Sequence, residues 1–376
     1  MRTDVSSPRS LLTTRDRLAS VAFGLWMVVG LFLDGWAHDN AKPESFFTPW
    51  HGVLYSGFAA SAAAAAVVAL RARSGMRPWR DDLPVGHGLT LVALAVFAMG
   101  AVGDLVWHET LGIEVGVEAL LSPTHLLLLA GGLVALSAPV RAAWWSDPAA
   151  PSFRSFAPTV LALALLTSLA GFFLLYLSPY VNDAAGAAFT RSPGVVHDHP
   201  STDVGELQQL LGIGSILMTT VLFAAPLHLM LRRWAPPAGT FVLFFGIVTV
   251  LFVGLAEFSQ PSLVLAGLGA GLAGDAVARG GRGPASVPTA IAVLWLAYFG
   301  LYELAEGGVA WTAELWAGTT VLATMVAAAL GLLTAQLPPH GVTTLPSLAG
   351  AAISDVQPRS DGPVSPPAGV EHPSRA

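Results

Sequence analysis

The chain of 376 residues contains no cysteine and little charge. The lack of cysteine excludes structural disulfides, iron–sulfur clusters and thiolate metal sites, and it leaves the redox state of the compartment open. Charged residues make up only 11% of the sequence, whereas about a quarter is usual in soluble domains, and 54% of the residues are hydrophobic. This composition predicts a membrane protein.

Apolar runs of about 20 residues, the length that crosses the hydrocarbon core of a bilayer, recur along the chain. We therefore predict an all-α integral membrane protein with about ten transmembrane helices. The predicted spans are 18–37, 51–70, 88–108, 123–140, 156–177, 207–230, 239–257, 261–277, 288–306 and 315–336. They form a polytopic domain, 18–336, between a basic N-terminal segment, 1–17, and a tail rich in Pro, Ser and Gly, 337–376, which we predict to be disordered.

The basic residues predict the orientation of these spans. Nearly all Arg residues fall on the side that carries both termini, whereas only Lys42 and Arg191 fall on the other side. By the positive-inside rule, we predict a multi-pass protein of the plasma membrane with both termini in the cytoplasm. Most Asp and Glu residues between the spans fall on the outer side, where their negative field would attract cations, and most His residues near the span ends lie on the same side.

One arrangement of metal-ligand residue types occurs twice on that outer side. Each copy has an Asp, a His four residues later, and a second His shortly after a Thr-Pro or Ser-Pro at the start of the next apolar run. The candidate ligands are Asp34, His38 and His51 in the first copy and Asp104, His108 and His125 in the second.

The spacing explains how each copy can bind an ion. Residues four apart on a helix share one face, so the Asp and the first His can point at a common ion. Thr48-Pro49 and Ser122-Pro123 are typical of an N-cap followed by proline at the first helical position. The second His then lies in the first turn, where the helix dipole favours its neutral, ligating form. Such residues at helix ends can also serve only as caps or interface hydrogen bonds, but the repetition favours metal binding.

The repetition also predicts a duplicated helix-pair unit, with 18–72 and 88–140 as related pairs that hold two separate ions. The two Asp residues are 70 positions apart, and the second His residues of the copies are 74 apart. Imidazole and carboxylate donors without sulfur favour Cu(II), Zn(II) or Fe(II).

The first copy resembles the copper-site motif of the C subunit of particulate methane and ammonia monooxygenases. That motif is Asp-x3-His-x12-His with Phe-Thr-Pro before the last His, and it matches over about thirty residues, at Asp34, His38, Phe47-Thr48-Pro49 and His51. The resemblance implies that Asp34, His38 and His51 ligate copper. The family's second site has Asn before x3-His, and Asp104, His108 and His125 resemble it with a carboxylate and a longer gap.

This resemblance implies a copper-binding membrane protein that is either part of an oxygenase for a small apolar substrate or a copper-holding protein. The expected partners are the lipid bilayer and either membrane partner subunits or further copies of the chain, with no nucleic acid. Two alternatives stay open. One is a membrane-embedded zinc hydrolase with Glu44 or Glu109 as general base. The other is a metal-cation transporter with Glu257, Glu303 and Glu306 along its path.

Overall fold

The structure of the chain is a computed structural model that describes residues 10–40, 47–75, 78–112, 116–182, 204–305 and 308–336. Every regular element in these ranges is helical, which confirms the predicted all-α class. The α-helices are α1 Thr14–Asp39, α2 Pro49–Ala72, α3 Trp79–Asp82, α4 His87–Leu111, α5 Glu118–Leu121, α6 Pro123–Leu136, α7 Ala138–Ser146, α8 Phe153–Phe172, α9 Val204–Arg233, α10 Thr240–Leu255, α11 Leu263–Arg279, α12 Gly283–Ala305 and α13 Ala313–Ala335. The predicted disordered tail lies outside the described residues.

Eight helical segments of the described chain are long and apolar enough to cross a membrane, and one of them consists of α6 and α7 together. The segments predicted as the seventh and eighth spans form α10 and α11, with 16 and 17 residues. Both are shorter than the roughly 20 residues that span a bilayer without adjustment. The chain is thus a multi-pass membrane protein by its helices, and the count of ten stays a prediction.

Glycine lets the helices of each N-terminal hairpin approach closely. A Cβ atom on Gly30 of α1 would lie 2.5 Å from the Leu54 Cα of α2, and one on Gly57 of α2 would lie 2.6 Å from the Met27 nitrogen of α1. Small residues at such crossings are the usual means of close helix packing in membranes. The α1–α2 hairpin is therefore held by direct contact between the two backbones.

The α4–α6 hairpin has the same contacts at positions related by the same offsets. A Cβ atom on Gly100 would lie 3.0 Å from the Leu128 nitrogen, and one on Gly131 would lie 2.6 Å from the Phe97 nitrogen. Gly100 and Phe97 follow Gly30 and Met27 by 70 positions, while Gly131 and Leu128 follow Gly57 and Leu54 by 74. The two hairpins thus cross in corresponding ways.

We expect Gly131→Val to destabilise the protein by about 1–3 kcal/mol, because the new side chain would push α6 away from the backbone of α4. The measurement is thermal unfolding in detergent beside the control Gly52→Ala, whose added Cβ meets no atom within 4 Å. Equal stability of the two variants would contradict the close crossing of α4 and α6.

Helix α8 packs at the centre of the bundle and fixes the position of α1. At the end of α1 opposite to the predicted ligands, the buried Arg17 guanidinium contacts the Asp147 carboxylate at 2.8 Å and donates a hydrogen bond to the Thr159 hydroxyl of α8. At the other end, the Phe32 ring contacts the Phe172 ring with a centroid distance of 5.2 Å. Both ends of α1 are thereby set against α8.

Candidate metal centre

The first candidate triad forms where α1 ends and α2 begins. Asp34 and His38 lie on one face in the last turns of α1. Thr48 is the N-cap of α2, Pro49 is its first residue, and the Thr48 hydroxyl accepts a hydrogen bond from the His51 backbone N–H. The predicted start of α2 is thus confirmed. The first turn of α2 directs His51 back toward the end of α1.

The donor atoms of this triad lie close together. His38 Nε2 is 3.8 Å from Asp34 Oδ2, and His51 Nε2 is 3.4 Å from Asp34 Oδ1. Asp34 Oδ1 is buried and has no hydrogen-bond partner within the described ranges. A buried carboxylate oxygen without a hydrogen bond is costly. A bound cation would compensate this cost, so the residues fit a metal ion.

The second triad repeats this arrangement between α4 and α6. Ser122 is the N-cap of α6 and Pro123 is its first residue, so His125 lies in the first turn. His108 Nε2 is 3.4 Å from Asp104 Oδ1, and His125 Nε2 is 3.0 Å from the same oxygen. The short helix α5 places the Ala119 carbonyl against His125 Nδ1, in hydrogen-bond contact.

These contacts suit metal ligation. Two atoms that are each about 2.1 Å from one ion lie about 3.0–3.4 Å apart at octahedral or tetrahedral angles. The distances from Asp34 to His51 and from Asp104 to His108 and His125 fall in this range, and the distance of 3.8 Å from Asp34 to His38 is longer. Within each triad one donor atom per residue lies within 4.8 Å of the others. The Ala119 carbonyl accepts from His125 Nδ1–H, and the Thr48 hydroxyl lies 3.1 Å from His51 Nδ1. Such contacts orient an imidazole so that its Nε2 can face a metal. All six predicted ligands are therefore brought together, as two groups of three.

Comparison of the chain with protein-family models, with curated proteins and with solved structures gave no match.

The two triads face each other across the interface between the hairpins. The rings of His51 and His108 have centroids 6.5 Å apart. Tyr55 of α2 lies between the triads, because its ring stacks on His51 at 6.0 Å and its hydroxyl donates a hydrogen bond of 3.3 Å to Asp104 Oδ2. A residue of the first hairpin thus supports the carboxylate of the second triad.

The environments of the two carboxylates differ. Asp104 is 1% exposed and accepts hydrogen bonds from Tyr55 and, at 3.4 Å, from the Thr124 hydroxyl. The positions that correspond to Tyr55 and Thr124 in the other hairpin are occupied by Leu129 and Trp50. The protein therefore holds Asp104 in place by its own hydrogen bonds, whereas Asp34 Oδ1 accepts none from the residues that the structure describes.

One cavity of about 110 Å³ contains both triads. Its deep part is apolar and includes Met27, Leu54, Phe97, Leu128 and Leu169. This wall comes from both hairpins and from α8, so side chains distant in sequence exclude water from the metal donors.

Polar residues lie at the outer part of this cavity. Asp39 and Tyr176 line it there, and Tyr176 belongs to the 3₁₀ turn Leu175–Leu177 beyond the end of α8. Burial raises the pKa of the Tyr176 hydroxyl, and the carboxylates of Asp39 and Glu118 raise it further. The hydroxyl therefore stays protonated at neutral pH and can donate a hydrogen bond at the entrance.

Sequence reasoning missed Tyr55 and Tyr176. Tyr55 lies four residues after His51, so the spacing that groups Asp34 with His38 could have placed it beside the first triad. Tyr176 carried no such signal.

Trp36, which precedes His38 by two residues, donates a hydrogen bond of 2.8 Å from Nε1 to Glu257. This bond connects the end of α1 to the turn after α10.

Proposed function

We propose that this chain is a copper-binding integral membrane protein related to the C subunit of copper membrane monooxygenases, and that its metal centre serves the oxygenation of a small apolar substrate. The observation that carries the proposal is the pair of carboxylate–imidazole triads that open into one apolar cavity. The spacing of Asp34, His38 and His51 adds the resemblance to the copper site of that family.

The donor set supports copper as the metal. Each triad offers two imidazoles and one carboxylate without sulfur, a set that suits Cu(II), with Zn(II) and Fe(II) as other possible ions. Three protein donors leave coordination positions open, and copper held in this way supplies redox chemistry with dioxygen when bound. Asp34, His38 and His51 would hold one ion, and Asp104, His108 and His125 would hold the other.

The other residues of the cavity have roles of their own. Tyr55 positions Asp104, and the Ala119 carbonyl positions His125. The apolar wall with Leu54 and Phe97 binds a small uncharged molecule next to the donors and excludes water from it.

The proposal is tested by the metal content and the electron paramagnetic resonance spectrum of the purified protein. We expect up to two copper ions per chain and hyperfine coupling to imidazole nitrogen in the Cu(II) signal. His228→Ala is the control, because His228 contacts the Ala327 carbonyl at 2.8 Å between α9 and α13, far along the chain from both triads. Protein that retains zinc but no copper, or copper without nitrogen coupling, would overturn the proposal.

We also propose that the metal centre faces the outer side of the plasma membrane and that both termini are cytoplasmic. The side on which the Arg residues concentrate supports this orientation. Phe47, which is 81% exposed, precedes α2 at the metal end, and Arg73 follows α2 at the opposite end.

Single cysteines at Phe47 and Arg73 in this cysteine-free chain are therefore expected to react with a membrane-impermeant thiol reagent from opposite sides. In intact cells only the Phe47→Cys variant should be labelled, and in inverted vesicles only Arg73→Cys. Labelling of Arg73→Cys alone in intact cells would reverse the orientation and place the metal centre inside.

The matched crossings of the two hairpins support our proposal that they arose from a duplicated helix-pair unit. Ligands and glycine contacts follow the same offsets, 70 positions for α1 with α4 and 74 for α2 with α6. Partner subunits or further copies of the chain would complete an oxygenase, since this chain supplies only membrane helices and metal donors in its described part.

The positions of the acidic residues support a zinc hydrolase or a metal-cation transporter less well than a copper protein. Glu109 is exposed and does not line the metal cavity, so it is poorly placed as the base of a zinc hydrolase, and Glu44 lies outside the described residues. Of the carboxylates expected along a transport path, Glu257 accepts a hydrogen bond from Trp36 and Glu303 accepts one from the Val309 backbone N–H. Glu306 lies outside the described residues.

A further inference from the structure

A second cavity lies between the same two hairpins, toward the end opposite to the metal donors. It has a volume of about 360 Å³, and α1, α2, α4 and the α6–α7 segment contribute to its wall. Among the described residues, Met27 alone lines both this cavity and the metal cavity. The two cavities therefore meet at the Met27 side chain, near the middle of α1.

The part of the second cavity near Met27 is apolar. Leu94 and Leu136 lie there, and α2 contributes a run of small residues that includes Ala60 and Ala64. Ala63 and Val67 line the cavity too and are exposed on the outside of α2, so the cavity opens toward the region that lipid would occupy.

Apart from Ser61, which lies on α2 between Ala60 and Ala64, the polar groups of the second cavity lie toward its far end, where they contact other protein groups. Arg71 pairs with Asp16 at 2.8 Å, and His87 Nε2 lies 2.9 Å from the Ala65 carbonyl. The Thr90 hydroxyl accepts a hydrogen bond of 2.7 Å from Arg141. A charged ligand would compete with these contacts, whereas an uncharged apolar molecule would not. The chemistry of the wall therefore favours a small apolar occupant.

Met27 can move more readily than its counterpart in the other hairpin. Phe97 corresponds to Met27 by the offset of 70 positions, and its ring stacks on Phe58 at a centroid distance of 4.7 Å. Met27 is 3% exposed and has an unbranched side chain with three rotatable bonds, which adapts easily to its surroundings. Because Met27 lines both cavities, the rotamer of this one side chain bears directly on whether the cavities connect.

We propose that the interface between the hairpins is an access route along which a small uncharged apolar molecule passes from the bilayer, through the second cavity and past Met27, to the metal cavity. Met27 sets the size of the molecule that passes. The identity of the molecule as a substrate rests on the proposed function, but the route itself does not.

The test uses the full-length chain without metal and a single cysteine in place of Leu31, which lines the metal cavity one turn after Met27. The probe is methyl methanethiosulfonate, a small uncharged thiol reagent, and the readout is its rate of reaction in detergent. We expect Met27→Phe to slow labelling about tenfold, since a larger side chain at the junction adds a barrier comparable to the cost of overpacking. Met27→Ala should accelerate it by a similar factor.

Two variants of α2 complete the design. Ala64→Phe fills the second cavity and should slow labelling of the Leu31→Cys chain. Ala66→Phe is the matched control, because Ala66 is exposed on the same helix and does not line the cavity. If Met27→Phe fails to fold, Ala64→Phe against Ala66→Phe still decides the question.

Unchanged labelling in Ala64→Phe, together with slower labelling in Ala119→Phe at the metal end, would show entry through the outer mouth and overturn the route. Labelling is measured without metal, so the access route would still stand if the protein proved not to bind copper. Failure of the route would likewise leave copper binding intact, since Met27 is not a ligand.

Discussion

Asp34→Ala is expected to remove one of two copper ions and, at the same time, to stabilise the metal-free protein. In the metal-free protein Asp34 Oδ1 is buried without a hydrogen bond from the described residues. Removing such a group recovers about 1–3 kcal/mol of desolvation cost. The side chain already lines a cavity, so its removal leaves little new void.

Copper should stabilise the Asp34→Ala variant less than it stabilises the wild-type protein. An ion present at a hundred times its dissociation constant stabilises the native state by about 2.7 kcal/mol, and the variant loses this contribution at the first site. The measurements are copper per chain and thermal unfolding, with and without copper. Asp39→Ala is the control, because Asp39 is an exposed carboxylate of the same helix that lines the outer part of the cavity but belongs to neither triad. A variant that keeps both ions and is less stable without metal would assign Asp34 a purely structural role.

Replacement of Asp104, His108 and His125 together by Ala is expected to halve the copper content and to leave a spectrum with nitrogen coupling from His38 and His51. Each triad has its own carboxylate and two imidazoles, with donor atoms within 4.8 Å of one another. Neither triad needs a ligand from the other to reach three donors. The matching replacement of Asp34, His38 and His51 should leave the second ion. Complete loss of copper in either variant, with the fold intact, would show one composite site.

Tyr55→Phe tests whether one hairpin supports the metal site of the other without supplying a ligand to it. The change removes the hydrogen bond to Asp104 and keeps the ring beside His51. Loss of a hydrogen bond that supports a ligand typically weakens metal affinity about 10–100-fold, so the second ion should bind more weakly. The affinity of the first site should stay the same.

The candidate ligands could be predicted from the sequence because each triad depends on local rules. A spacing of four residues places Asp34 beside His38, and the N-cap and proline before His51 and His125 define where α2 and α6 begin. The hairpins then bring each second His back to the first. Nothing beyond a short loop is needed to form a triad.

Contacts between the hairpins could not be predicted in this way. The hydrogen bond from Tyr55 to Asp104, the shared cavity and the position of Met27 depend on how one hairpin packs against another. Helix boundaries also differ from the predicted spans where local contacts intervene. The fourth span is divided at Ser137, and Pro139 in the first turn of α7 has no N–H with which to continue the hydrogen bonds of α6.

The close crossings of the two hairpins bear on the order in which the protein is made. All six ligands lie within the first 125 residues of a chain of 376, so they are synthesised before α8 and the helices that follow it. Closing a short loop takes far less time than adding the next residues, since synthesis proceeds at about 5–20 residues per second. The donors of each triad can thus meet while the ribosome is still translating. Leu169 and Phe172 of α8, which line the same cavity, are inserted only later. A stage at which the ligands are assembled and the cavity is still open on that side is therefore compatible with the order in which these helices are made.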